Sequence, residues 1–167
     1  MLTGMPSPRR WTQLLFWALA ISACQRRADI PEGDVAGRLT LPALGDPLDT
    51  ESLLGKPTLV VFVSPSCPHC LDELPRTQAA ARTADANAVA VFVVGTREEA
   101  ARIVETTRFT GPVLFDDGSL RRDYRITGVP YTIVLRADGR ADNALVGTQT
   151  PAILREALAD ASHHYSS

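Results

Sequence analysis

Two thiols sit three positions apart in the run FVSPSCPHC, Phe62 to Cys70, with Pro68 and His69 between Cys67 and Cys70. Thiols so spaced can hold a metal, lock the chain or exchange electrons. Three cysteines in 167 residues are too few for a disulfide framework. A bridge closing so short a loop restricts the unfolded chain little, so stapling is a poor explanation. Zinc takes four ligands in paired spacings, and the chain has neither a second Cys-x-x-Cys nor a His-x-x-x-His. No metal site is expected, although Cu(I), which prefers soft sulfur and fewer ligands, keeps one alternative open: a metal-delivery module using Cys67, Cys70 and a histidine.

Electron exchange fits the placement better. Cys67 follows the apolar run TLVVFV (Thr58–Val63), and Pro68 suits the first position of a helix, which puts Cys67 at the N-cap. Orphan N–H groups and the positive end of the helix dipole favour a thiolate there. Cys70 falls on the same helix face one turn deeper, with the Cα atoms roughly 5 Å apart, a separation that a disulfide tolerates. Cys67 is then the attacking sulfur and Cys70 the shielded one that resolves a mixed disulfide. His69, when charged, further favours the thiolate and makes the disulfide more oxidising; its other reading is a solvated helix residue. A peroxidase reading asks for Pro-x-x-x-Thr/Ser-x-x-Cys. Ser64 satisfies it, but Val60 stands where the proline belongs.

The elements that must position these residues alternate along the chain. Thr58–Val63 is a buried strand by its β-branched apolar composition. The helix from Pro68 runs to about Ala84, with Pro75 expected to kink it. Ala88–Val94 is a second buried strand, ended by Gly95, and Arg97–Phe109 a second helix with Ala100, Ile103, Val104 and Thr107 on one face. PVLFDD is a short strand and GSLRRDYRI a helical turn or two. YTIVLRADGRADNALVG is a hairpin turning at Asp-Gly. Thr150 caps a last helix with Pro151 first, ending near Ala161. The order predicts an α/β fold, a mixed sheet with helices on both faces. GRLTLPAL is expected to add a short N-terminal strand or hairpin.

The first residues differ in kind. Arg9 and Arg10 precede the apolar stretch LLFWALAISA (Leu14–Ala23), too short to span a bilayer and suited to a secretion signal. It ends in Cys24, and ISAC resembles a bacterial lipobox, whose cysteine carries the lipid. Residues 1–23 then read as the leader and 24–35 as lipidated Cys24 plus a flexible tether. Residues 36–162 form the domain and 163–167, with His163 and His164, a disordered tail. Acyl chains anchor at about 0.8 kcal/mol per buried methylene, which predicts a periplasmic, membrane-attached location. A formal charge of −2 with no basic stripe excludes nucleic acid. Outside the cytoplasm a dithiol works in either redox direction.

From about Leu41 to Ala161 the chain resembles the thioredoxin-like superfamily, in its membrane-tethered TlpA/ResA-type branch. LLGKPTLVVFVSPSCPHCLDELP and YRITGVPYTIVLRADGR are similar to that branch's two signatures. The resemblance implies a thioredoxin-like sheet and protein thiol–disulfide oxidoreductase activity. It implies no cofactor beyond the redox-active Cys67–Cys70 pair. Protein thiols or disulfides and a membrane redox donor or acceptor are the implied partners, with a monomer expected. It further implies a cis Pro130 beside the dithiol, which hinders metal capture, and substrate contacts at Val129 and Tyr131. Glu73 resembles the branch's acidic residue near the buried thiol; it either accepts that thiol's proton or, with Asp72, complements the helix dipole. Ser66 stands where the branch usually has Trp, which makes the entrance more polar. The SPSCPHC run is also similar to methylamine dehydrogenase accessory proteins, and its Cys-Pro-His-Cys to DsbA-type dithiol oxidases. The branch is mostly reducing and the quartet oxidising, so the direction of electron flow stays open.

Overall fold

A computed structural model describes residues 27, 28, 30, 31 and 33–165. The expected leader and Cys24 lie outside the described residues. Among the described residues six strands form one sheet: β1 Arg27–Ala28, β2 Thr58–Val63, β3 Asn87–Phe92, β4 Val113–Phe115, β5 Tyr131–Leu135 and β6 Ala141–Val146. The helices are α1 Pro68–Thr83, α2 Arg97–Thr107, α3 Ser119–Asp123 and α4 Pro151–Tyr165. The strand order is β1-β6-β5-β2-β3-β4, with β3 parallel to its neighbours β2 and β4, and β5 antiparallel to β2 and β6. This is the mixed sheet that the element order predicts.

Central placement explains why every residue of β2 is buried, as its unbroken β-branched run requires. Alternate side chains feed one core on one face of the sheet and two on the other. Val60 and Phe62, with Ile133 and Leu135 of β5, pack beneath α3 and the N-terminal segment through Leu120, Tyr124, Val35 and Leu39. Val61 and Val63 point the other way, toward Cys70 and Leu74 of α1 and Ala100 and Ile103 of α2. Leu59 and Val134 meet Leu154 and Leu158 of α4. Helices therefore cover both faces. Among the described residues no helix is long and apolar enough to cross a membrane.

Capping fixes where the helices start. Cys67 is the N-cap of α1 with Pro68 first in the helix. Thr96 and Glu99 bond each other's backbone in a capping box on α2, and the Ile153 N–H donates to Thr150 Oγ1 at the start of α4. Pro75 lies inside α1, which continues through it, leaving the Leu71 carbonyl without its usual helical donor.

The ends of the domain correct three expectations. The N-terminal stretch forms no hairpin. Val35 and Leu39 are both fully buried, and the short 3-10 turn Ala36–Arg38 carries them into the core. Residues 42–44 run along the edge of β4: Phe115 N–H donates to Pro42 O and Leu44 N–H to Val113 O, since Pro42 has no N–H of its own. The supposed tether is partly docked, with Arg27–Ala28 paired to β6 and Asp34 bridging Arg140. His163 and His164 belong to the last turn of α4 rather than a disordered tail, because His164 Nδ1 sits 2.6 Å from Asp142 Oδ1 on β6.

Phe62 is fully buried, and its ring meets Tyr131 edge-on with centroids 6.4 Å apart. Phe62→Ala is expected to cost about 3–5 kcal/mol of unfolding free energy, read as a lower urea midpoint at unchanged slope.

Candidate active site

β2 ends at Val63, and the chain turns through Ser64–Ser66 before α1 begins. The Cys67 N–H donates to Ser64 O at 3.1 Å, closing that turn. Within it the Ser64 and Ser66 hydroxyls lie 2.9 Å apart, an internal pair at the position where the resembled branch usually has Trp. Gly95, with φ of +108°, brings the loop after β3 against this turn; a Cβ there would stand 2.5 Å from Pro65 Cγ.

The two sulfurs straddle the protein surface. Cys67 is half-buried, and its Sγ–H donates to the Val129 carbonyl oxygen at 3.7 Å. Cys70 is 1% exposed, with its N–H on Cys67 O at 3.0 Å. Both are free thiols. No side chain caps the start of α1, so the first-turn N–H groups face the Cys67 position. Burial, above all, pushes the Cys70 thiol up to about 12; hydrogen bonding to Cys67 and the negative charges of Cys67 and Glu73 add to this, while a Ser64 backbone contact opposes it.

Glu73 lies one turn deeper and is fully buried. Its Oε2 accepts the Gln149 N–H at 3.0 Å, and its Oε1 has no partner among the described residues. A carboxylate half-satisfied in the interior is poorly stabilised. Burial raises its pKa to about 7, against the lowering pull of the Gln149 N–H and Arg76. A carboxyl that titrates near neutrality beside a thiol held protonated can take and return a proton. Full burial sets this acid apart from exposed Asp72, which lies beyond the first turn of α1, where the dipole acts, and faces Arg76 at 3.9 Å.

The remaining expected site residues divide. The Val129–Pro130 peptide is cis, and Val129 O is the atom that meets Cys67. Pro68 and His69 are exposed at the mouth of α1. Tyr131 corrects the expectation of substrate contact: it is 5% exposed and packs on Phe62 in the core. The inward alternation of β5, which also buries Ile133 and Leu135 on that face, turns its ring away from the surface. Four residues near the site went unread in the sequence. Gln149 reaches Glu73 from the loop before α4, and no local pattern signals a contact at that separation. Val94 and Val146 are large apolar residues exposed at this end of the sheet, as is Leu71 on α1. Composition alone does not distinguish them from core positions.

No cluster of three or more His, Cys, Asp or Glu side chains occurs among the described residues, so the third ligand of the Cu(I) alternative is not at hand.

Comparison with known proteins places this geometry. The thioredoxin-like domain family model matches residues 48–162. Methylamine utilization protein MauD of Methylobacillus flagellatus is 29% identical over 85 residues, 51% of this chain and 41% of that protein's length. The chain thus spans about two fifths of that relative. The thiol:disulfide interchange protein CycY of Rhizobium leguminosarum is 29% identical over 142 residues, covering 84% of this chain and 74% of its own. The crystal structure of a secreted Mycobacterium tuberculosis disulfide oxidoreductase homologous to Escherichia coli DsbE superposes with a TM-score of 0.66 at 26% identity, over 77% of this chain and 99% of that one.

A raised carboxyl pKa has a definite sign in stability. Folded Glu73 holds its proton up to about pH 7, whereas an unfolded glutamate loses it near 4.3. Its burial is therefore fully tolerated below the unfolded value, and stability is lost as pH rises through about 7. Urea melts are expected to show Glu73→Gln gaining on the wild type between pH 4.5 and 7.5, by about 3 kcal/mol.

Proposed function

The chain belongs to the thioredoxin-like domain family, and on that premise we propose that it is a protein thiol–disulfide oxidoreductase working outside the cytoplasm. One observation carries the reading: a half-buried sulfur at a helix N-terminus, in contact with the Val129 carbonyl, stands over a buried sulfur one turn below.

Written in the reducing direction, the Cys67 thiolate attacks a partner's disulfide. The Cys67–partner bond forms, the partner's S–S bond breaks, and one partner thiolate leaves. Cys70 then gives its proton to the Glu73 carboxylate and attacks Cys67 Sγ, closing the internal disulfide and expelling the second partner thiolate. Two electrons pass from the dithiol to the partner, and the reverse sequence oxidises it. Burial keeps Cys70 protonated until the mixed disulfide exists, so it does not compete for the partner's sulfur. Leu71, Val94 and Val146 are exposed around this end of the sheet and suit a protein partner rather than a small thiol.

In this reading residues 1–23 export the chain, Cys24 carries the lipid anchor, and the domain works as a periplasmic monomer beside a membrane redox partner. His69, exposed on the first turn of α1, shifts the pair toward oxidation. No cofactor takes part beyond the Cys67–Cys70 pair. Among the described residues the Cu(I) reading keeps the two sulfurs and no clustered third ligand.

Cys70→Ser is expected to accumulate a mixed disulfide between Cys67 and partner proteins, visible on non-reducing gels and lost with dithiothreitol. Cys67→Ser is expected to abolish both the adduct and exchange activity. Adducts that persist in Cys67→Ser would contradict the assignment of the attacking sulfur.

A further inference from the structure

A cleft of about 200 Å³ opens beside the dithiol, between the end of β3 and the loop that leads to Pro130. Ser64, Val94, Arg121, Ile126, Thr127 and Val129 line it. Val129 is also the residue whose carbonyl meets Cys67, and Ser64 belongs to the turn that closes on the Cys67 N–H. A chain segment disulfide-linked to Cys67 therefore reaches this cleft within a few residues of its own cysteine.

The lining holds one charged group, Arg121, and no acid. Arg121 is exposed on α3, and its guanidinium makes no ion pair among the described residues. The carboxylates just before α3 are spent on backbone: Asp116 accepts the N–H groups of Leu120 at 3.1 Å and Arg121 at 3.2 Å, and Asp117 accepts that of Ser119 at 2.8 Å. Asp123 on the same helix is paired to Arg38, while Arg122 and Arg125 extend the positive charge. The Thr127 hydroxyl can donate or accept, while that of Ser64 already lies 2.9 Å from Ser66 Oγ. The charged group in the lining, Arg121, thus favours a negative side chain on an occupant, set against the apolar walls of Val94 and Ile126.

We propose that this cleft selects partner segments bearing an acidic side chain close to their reactive cysteine, with Arg121 as the specificity-determining residue. The inference rests on the thiol–disulfide reading above and deepens it by naming the partner's chemistry. A charge pair at a solvated rim contributes a modest factor, mainly through the association rate, and salt screens it.

The test uses the reduced full chain and symmetric disulfide dimers of short peptides. Each peptide carries one cysteine with Glu, Gln or Lys at one of the three positions on either side. Cys67 breaks the peptide S–S bond and forms the mixed disulfide; Cys70 closes the internal bond and expels the second peptide thiol. Two electrons move to the peptide, and the loss of dimer is followed by chromatography. At the best position the Glu peptide is expected to react about three- to fivefold faster than the Gln peptide at low salt, and the Lys peptide slower. The advantage should fade at about 1 M salt. Arg121→Gln should flatten the series, and Arg121→Glu should invert it. Comparing variants on the same peptides cancels the peptides' own differences in thiol reactivity. A Glu-to-Lys rate ratio unchanged by Arg121→Glu overturns the proposal. Failure of every peptide to react, the Gln series included, overturns the thiol–disulfide reading and the proposal with it.

Discussion

One helical turn separates two sulfurs that occupy different media. Cys67 meets solvent at the N-cap of α1, and Cys70 lies 1% exposed against the sheet. Only a helix locked to the sheet can hold that difference. Leu74 and Ala81 pin α1 in the two cores on this face of the sheet, and Gln78 ties it sideways, donating to Arg108 O and accepting from the Thr110 N–H and hydroxyl. Rotating the helix by one residue would expose Cys70 and return its thiol, now pushed to about 12, toward the ordinary range. The chemistry is thus set by packing more than by the thiols themselves.

Glu73 extends the same constraint one turn further. The burial that raises it to about 7 removes a fixed negative charge from beneath Cys70 when it is protonated and supplies an acceptor when it is not. Its single backbone donor, the Gln149 N–H, comes from the loop that joins β6 to α4, so the closing hairpin and last helix take part in the site although neither carries a cysteine. The outer face follows from sheet order. β2 and β3 run parallel and end together, which sets the Ser64–Ser66 turn beside Val94, as expected where parallel strands deliver their carboxyl ends to a binding surface.

Much of this was legible in the sequence, for local reasons. A β-branched run, a cysteine and then a proline dictate a buried strand, an N-cap and a first helical position, and all three stand where the pattern puts them. Glu73 was readable as either a dipole complement or a proton acceptor; only tertiary burial separates the two. Tyr131 was misread because the residue after Pro130 lies next to the site along the chain, while strand alternation turns its ring into the core. Residues 24–35 looked like a tether by their polar, Gly- and Pro-containing composition, yet the pairing of Arg27–Ala28 with β6 and the burial of Val35 dock part of it. Arg121 carried no sequence signal, since α3 spans only five residues and its neighbours across the cleft come from distant strands.

The unequal accessibility of the two sulfurs is open to direct measurement. The reduced protein, alkylated with limiting iodoacetamide at pH 7 and mapped by peptide mass spectrometry, is predicted to carry label at Cys67 with Cys70 essentially unmodified until the chain is unfolded. Equal labelling of the two, or faster labelling of Cys70, would contradict the account.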